Sequence, residues 1–284
     1  MSHTNVFEKI DQEYYQLTAA ERKVGDYIRY QRTRTQYMSI SELAEECGVA
    51  DATISRFCRR LGYKGYNAFK LAIANSTGKT TEQTATTGDI TPQDSVEELC
   101  QKLYTANVEA MRQTLEVIAP EAIAQAVEML HQAKFVYCMG QGGSMILAQE
   151  AAHALSTAKQ GFVPVWDSHI QAMTAAQMTP DDVGLIFSYS GATKDLEDIL
   201  TLIHSCGATS VLITAFPKSP GAALADVVLR CGAKEGPLQV GSIGARIAQL
   251  FLVDVLFQEL IRRRGEIYDE RRDVIANAVA DKHL

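Results

Sequence analysis

Residues 39–62 read SISELAEECGVADATISRFCRRLG. Ser39 stands three residues before Glu42, the spacing of a capping box that opens a helix. Ile40, Leu43, Ala44 and Cys47 follow at i, i+3, i+4 and i+7, so one face of that helix is apolar. Gly48 can take the left-handed backbone that ends it. Asp51 is the expected N-cap of a second helix. There Ile54, Phe57, Cys58 and Leu61 repeat the same spacing before Gly62 stops it. Two short amphipathic helices around a glycine turn make a helix-turn-helix pattern. The opposite face of the second helix carries Thr53, Ser55, Arg56, Arg59 and Arg60. Arginine can grip guanine O6 and N7 together, and hydroxyls can reach bases or phosphates. Ala52, Thr53 and Arg56 lie nearest the helix start and are the expected base contacts. Arg59 and Arg60 are expected on phosphates, with Lys64 and Lys70 holding backbone beyond. The competing reading of the same pattern is a plain bundle of three to five helices with a solvated polar face.

The flanks extend the helical reading. Val6, Phe7, Ile10, Tyr14 and Leu17 share one stripe, and Thr18 to Glu21 forms another capping box ahead of a helix through Tyr30. Residues 1–80 hold 12 Lys and Arg against 9 Asp and Glu, whereas residues 81–284 hold 15 against 25. The formal charge of −7 therefore hides a small basic part joined to a larger acidic one, and only the former suits a polyanion. Between them, Asn75 to Ser95 contains seven threonines, two glycines and a proline without apolar periodicity, which predicts a linker. Apolar residues make up 46% of the 284-residue chain, which excludes wholesale disorder. No run approaches the ~18 apolar residues of a membrane span. The first residues lack the features of a secretory leader. The six cysteines include no CxxC pair, which argues against a zinc finger or disulfide framework and fits a reducing cytoplasm.

From Val96 the pattern changes. A long amphipathic helix reaches Ile118, Pro120 resets the chain, and a shorter helix runs to about His131. Apolar strands near residues 134–140, 162–165, 183–189, 209–215 and 225–230 then alternate with helices, and helices near 242–264 and 266–280 close the chain. Such alternation predicts a parallel sheet sandwiched by helices, an α/β unit after an all-α one. Ligands in such sheets sit beyond the carboxyl ends of the strands. Two of those ends are distinctive. The first strand runs into Gly140-Gln-Gly142-Gly143-Ser144 and the third into Ser188-Tyr189-Ser190-Gly191-Ala-Thr193. Glycines let backbone approach an anion, the next helix start offers N–H groups, and hydroxyls add uncharged donors. The expected ligand is a phosphate. A dinucleotide site is not expected: Met145 stands where the third glycine of GxGxxG would fall, and Asp167 lies past Pro164 and Trp166. The triphosphate-loop pattern GxxxxGK[ST] is absent as well.

Together these motifs resemble the RpiR-type bacterial transcriptional regulators, which join an N-terminal helix-turn-helix to a C-terminal sugar isomerase (SIS) domain. The resemblance runs nearly the whole chain. The stretch from Ser39 to Lys70 is similar to the family's DNA-binding signature at Thr53, Ser55, Arg56, Phe57, Leu61, Gly62 and Gly65, with Ala50 where members often carry serine. It implies residues 1–75 as the helix-turn-helix domain, 76–95 as linker and 96–284 as the SIS domain. In SIS domains the phosphosugar loop resembles S-x-S-G-x-T, here Ser188, Ser190, Gly191 and Thr193. The first loop's serine corresponds to Ser144, and Ser242 occupies a further position near the sugar. Arg246 and Asp254 match family positions that read as structural.

The resemblance implies a regulator, most simply a repressor of sugar metabolism genes, whose phosphosugar effector modulates binding to double-stranded, palindromic operator DNA. Pairing through SIS domains implies a homodimer or homotetramer. Neither metal nor cofactor is expected, and no membrane partner. The alternative is a phosphosugar aldose-ketose isomerase with an accessory helical domain. Isomerisation needs a tuned base, and Glu150, His153, His169, Asp195 and Glu235 are the candidates. None has a spacing that demands catalysis, so the expectation is that the chain is not an enzyme.

Overall fold

A computed structural model of the chain describes residues 5–77, 90–232 and 243–280. They form two compact units that divide between Ala106 and Asn107.

The first unit contains six helices among residues 5–77. They are α1 (Val6–Glu13), α2 (Ala19–Tyr30), α3 (Arg32–Thr35), α4 (Ile40–Cys47), α5 (Asp51–Arg60) and α6 (Tyr66–Thr77), with a 3-10 turn at Tyr14–Gln16. Both capping boxes form as their spacing predicts. The Thr18 and Ser39 side chains accept from the backbones of Glu21 and Glu42, whose carboxylates accept in return from the cap backbones. Gly48 adopts φ 63° and closes α4. The start of α5 differs from expectation. Its N-cap is Ala50, which offers no side-chain bond, and Asp51 is the first helical residue. The Asp51 carboxylate instead accepts from Ser41 Oγ at 2.7 Å, so it ties α4 to α5. Its charge at the first turn still favours the helix dipole. The periodicity of residues 6–61 leaves α3 and α6 unassigned. Tyr66, Phe69 and Ile73 on α6 complete the core, and the Tyr66 hydroxyl donates to the Met38 carbonyl at 3.0 Å.

The expected linker is shorter than its composition suggests. Residues 75–77 belong to α6. Thr91 donates through its N–H and hydroxyl to Asp94, which also pairs with Lys102, and Ser95 makes a capping box with Glu98. Local side-chain bonds thus hold residues 91–95 without apolar packing. The rest of the stretch, residues 78–89, lies outside the described residues.

The second unit takes the last part of α7 (Val96–Val117), then α8 (Pro120–Gln132), β1 (Val136–Gly140), α9 (Gly143–Ala158), β2 (Phe162–Pro164), α10 (Ser168–Ala175), β3 (Val183–Phe187), α11 (Lys194–Ser205), β4 (Thr209–Thr214), α12 (Pro220–Leu224), β5 (Val227–Arg230), α13 (Ile243–Arg264) and α14 (Glu266–Ala280). The strands pair in parallel in the order β2-β1-β3-β4-β5. Val136, Cys138, Leu185, Phe187, Val211 and Ile213 face α8, α9 and α13, while Met139, Ile186 and Leu212 face α10 and α11. The sheet is therefore buried on both faces, as continuous apolar strands require. Among the described residues no helix is long and apolar enough to cross a membrane.

Phe57 is fully buried and meets Phe69 edge to face, with ring centroids 5.7 Å apart. Phe57→Ala should cost about 3–5 kcal/mol. Urea denaturation followed by circular dichroism should report that loss in the helical unit's transition.

Candidate functional site

In the helical unit, α5 turns Ile54, Phe57 and Cys58 inward and leaves Ala52, Arg56, Arg59 and Arg60 exposed. Lys64 is exposed just beyond and Ser55 is half-buried. Two expected contacts are placed differently. Thr53 is only 7% exposed, because it falls on the inward side of the first turn. Its hydroxyl accepts from Arg56 Nη2 at 3.3 Å, so it steadies that arginine rather than reaching outward. Arg60 is tethered to the domain. Its Nη1 donates to the Gln16 carbonyl at 2.8 Å, and its Nε lies 3.4 Å from Glu21 Oε1. Glu21 is a buried carboxylate that also closes the capping box of α2. Burial pushes the Glu21 carboxyl up, but the two hydrogen bonds from Thr18, with Arg60 and Arg56, outweigh it and hold it below the ordinary glutamate value.

In the α/β unit, the strand order reverses direction between β1 and β3. That switch point opens a crevice at the strands' carboxyl ends. Gly140 closes β1 directly beside Phe187 at the end of β3, so the two distinctive loops start as neighbours. A side chain at Gly140 would meet the Ser144 backbone at 2.8 Å, which explains the glycine. Gly142 has φ 55° and serves as N-cap of α9. Gly142 and Gly143 are exposed and Ser144 is half-buried. Beneath this loop lies Gln171, fully buried on α10, whose amide donates to the carbonyls of Gly140 and Val165 and accepts from Gln141 Nε2 at 2.8 Å.

The second loop is equally determined. Ser188 is buried, and its Oγ accepts from the Gly191 N–H at 3.2 Å. Ser190 Oγ accepts from the Ala192 N–H at 3.4 Å. Each serine thereby spends lone pairs on the loop and keeps its O–H to donate. Gly191 has φ 60°, and a Cβ there would lie 2.0 Å from Ser219 Oγ. The Gly191 carbonyl accepts from the Gly221 N–H at 2.8 Å. The Tyr189 ring packs edge-on against Phe216 and its carbonyl accepts from Thr214 Oγ1, which ties the loop to β4. Thr193 is exposed at the N-cap of α11. Ser242 lies outside the described residues.

The helix starts around this crevice divide into two kinds. Asp167 caps α10 through the N–H groups of His169 and Ile170, and Ser219 caps α12 through that of Ala222. Asp167, the nearest acidic residue to a dinucleotide pattern, is thus a helix cap. At α9 and α11 the cap residues Gly142 and Thr193 make no side-chain bond. The two starts without a side-chain cap are those following β1 and β3; at the first of them the Ser144 and Met145 N–H groups donate to the Gln141 and Gly142 carbonyls, both at 3.1 Å. Sequence reasoning missed Gln171, Thr214 and Ser219 as supports. Ser219-Pro220 carries a readable signal, an N-cap followed by proline at the first helical position. Gln171 carries none, because its partners are backbone carbonyls brought together by the sheet.

Glu150 and His153 lie exposed on α9, while His169 and Asp195 are exposed at the starts of α10 and α11. Glu235 lies outside the described residues. Among the described residues no group of three His, Cys, Asp or Glu side chains converges as a metal site. Residues 4–80 match the helix-turn-helix domain of the rpiR family, and residues 129–258 match the SIS domain. An uncharacterized HTH-type transcriptional regulator of Haemophilus influenzae is 31% identical over 99% of this chain and 98% of its own length. The chain belongs to the RpiR family of transcriptional regulators. The HTH-type regulator YfhH of Escherichia coli is 31% identical over 93% of the chain and 94% of its own. The structure of the Vibrio vulnificus NanR protein complexed with ManNAc-6P superposes on this chain with a TM-score of 0.88, at 26% identity, covering 99% of this chain and all of that one. A phosphoheptose isomerase from Francisella tularensis, 16% identical with a TM-score of 0.50 over 60% of this chain, shares the fold alone. Relatives that run the length of the chain are regulators, so this RpiR family member is a regulator and not an isomerase.

Gly191→Ala forces both a strained backbone and a collision with Ser219. It should lower the thermal midpoint of the α/β unit by several degrees. Glu21 yields a pH signature. Its folded-state value lies below its unfolded one, so its contribution is complete above the unfolded value and fades as pH falls through the folded value. The stability difference between wild type and Glu21→Gln, measured by urea denaturation, should therefore be greatest near pH 6–7 and shrink on acidification.

Proposed function

We propose that this regulator is a cytoplasmic DNA-binding repressor of sugar metabolism genes, and that a phosphosugar in the SIS crevice changes its affinity for operator DNA. The observation that carries the ligand reading is the start of α11, which has no side-chain cap, beside the Ser188 and Ser190 hydroxyls and next to the glycine loop that opens α9. Amide groups and hydroxyls suit a phosphoryl group without bringing a cation. Gly142, Gly143, Ser144, Ser188, Tyr189, Ser190, Gly191 and Thr193 would form the cradle, with Ser242 as a further contact. The NanR complex with ManNAc-6P supports the same ligand class.

On the DNA side, Arg56 and Ser55 would read base edges from the start of α5, and Arg59 and Lys64 would hold phosphates. Thr53 and Arg60 would contribute by positioning. A homodimer or homotetramer joined through SIS domains, residues 96–284, would present paired heads across a linker at 76–95. Half-sites would then lie about one helical turn (~34 Å) apart in a palindromic operator. The effector can shift DNA binding only by its differential affinity for the two head arrangements. A coupling of ~1–3 kcal/mol would change operator affinity ~5- to 150-fold.

Fluorescence anisotropy with DNA from the gene's own promoter region, titrated with a panel of sugar phosphates, tests this reading. Wild type should bind the operator, and one sugar phosphate should change its affinity. Ser190→Ala should keep DNA affinity and lose that response. Arg56→Ala should relax sequence preference, while Lys64→Ala should weaken all DNA alike and reduce the salt slope by about one. A normal sugar response in Ser190→Ala would place the ligand elsewhere.

A further inference from the structure

Helix α10 carries a surface that the sugar reading does not use. Trp166, Ile170 and Met173 follow one another at i, i+4 and i+7, which puts them on one stripe of the helix and of the turn that leads into it. They are 56%, 55% and 62% exposed. Val163, on the edge strand β2, adds to the same side. Phe162 packs into the core with α8, α9 and α13, and Val165 into the core with α10 and α11. The strand's alternation therefore turns Val163 toward the α10 layer, where it stays exposed. The stripe is not a frayed end. Asp167 caps the helix through two N–H groups, and the Val165 N–H donates to the Cys138 carbonyl at 3.0 Å. On the opposite side of α10 the buried Gln171 holds the Gly140 carbonyl. An apolar patch on a helix fixed in this way marks a contact surface.

Charge indicates the occupant. Residues 168–180 contain no Asp, Glu, Lys or Arg, in a chain of which 21% is charged. At the rim, Asp167 and His169 lie 3.8 Å apart. An acidic protein ordinarily recruits a basic partner, and this face offers such a partner nothing to hold. A second copy of the chain meets the opposite situation. Residues 81–284 hold 15 Lys and Arg against 25 Asp and Glu, so two copies repel wherever their acidic surfaces meet. A charge-free face lets them approach without that penalty. Aromatic and Met side chains with charge depleted around them are also the composition of interface cores. Two-fold symmetry uses the same stripe from both copies. Its apolar side chains, on the order of a few hundred Å², can form the centre of the roughly 800 Å² per partner that a stable interface buries. Pro164 has no N–H to offer and blunts β2 against strand addition, which leaves packing through the helix.

The geometry points to the exposed face of α10, Ile170 and Met173 with Trp166 and Val163 beside them, as the contact through which two copies of this chain pair across a two-fold axis. The inference rests on the homo-oligomer reading above and names the surface that makes the oligomer. It places α10 between the two ends of the regulator's work. Gln171 holds the first crevice loop on one side of the helix, and Ile170 and Met173 meet the second copy on the other.

Sedimentation velocity of the full chain over a dilution series, read alongside acrylamide quenching of tryptophan fluorescence, tests this. Trp166 is the only tryptophan, so its quenching reports on this face alone. Quenching should be several-fold weaker where the oligomer dominates than after dilution to the monomer. Ile170→Glu and Met173→Glu, both at exposed positions, should keep the circular dichroism of the wild type. Each should weaken association by roughly 30-fold or more, the loss expected at the centre of an interface. Each should also restore strong quenching at concentrations where wild type is paired. A wild type that stays monomeric at every concentration removes the oligomer reading and the inference with it. An oligomer whose Trp166 is quenched as strongly as in Ile170→Glu, or whose dissociation constant is unchanged in both variants, leaves the oligomer reading standing and overturns the inference alone. Protection of Trp166 that survives dissociation assigns the cover to the chain's own segments and overturns it too.

Discussion

The parallel pairing of β1 with β3, which ends with Gly140 beside Phe187, sets the position of everything in the α/β unit that can meet a ligand. Because β2 lies on one side of β1 and β3 on the other, the connections after β1 and β3 leave toward opposite faces. A crevice opens where they part. The register then fixes which residues rim it. A slip of one residue would reverse every side chain on the strand, taking Leu185 and Phe187 out of one core and Ile186 out of the other. The apolar strands thus do more than build a scaffold. They hold Ser188 and Gly140 at one level, from which both loops start.

The supports of the cradle come from outside its own loops. Gln171 braces the first loop from α10, and Thr214 and Ser219 brace the second from β4 and α12. Support of this kind would lower the ordering cost of binding the proposed phosphosugar. The same economy is visible in the helical unit, where Thr53 and Glu21 hold Arg56 and Arg60 from behind.

Much of this was legible in the sequence, for reasons that can be named. Capping boxes at Thr18 and Ser39 and the glycine at position 48 are local devices, and they act locally in the folded chain. The glycine-serine loops were readable because few residue types permit close backbone approach. The misreadings all involve tertiary partners. Asp51 looked like a cap because nothing nearby announces that Ser41 will claim its carboxylate. Thr53 looked outward-facing because its position on the wheel lies close to the boundary of the buried face. The threonine-rich segment looked structureless at its ends, where α6 continues and Asp94 and Ser95 build local turns.

The tether between Arg60, Gln16 and Glu21 has a practical corollary. Recognition helices are commonly treated as interchangeable cassettes for redirecting a regulator to a new operator. In this protein the cassette extends backward in the chain. A transplanted α5 that lacks arginine at position 60 would leave a buried carboxylate on α2 without its counter-ion, and a donor helix that brings its own arginine would need glutamate at position 21 to receive it. The portable unit of DNA specificity is therefore the segment from the end of α1 through α5, moved as one piece.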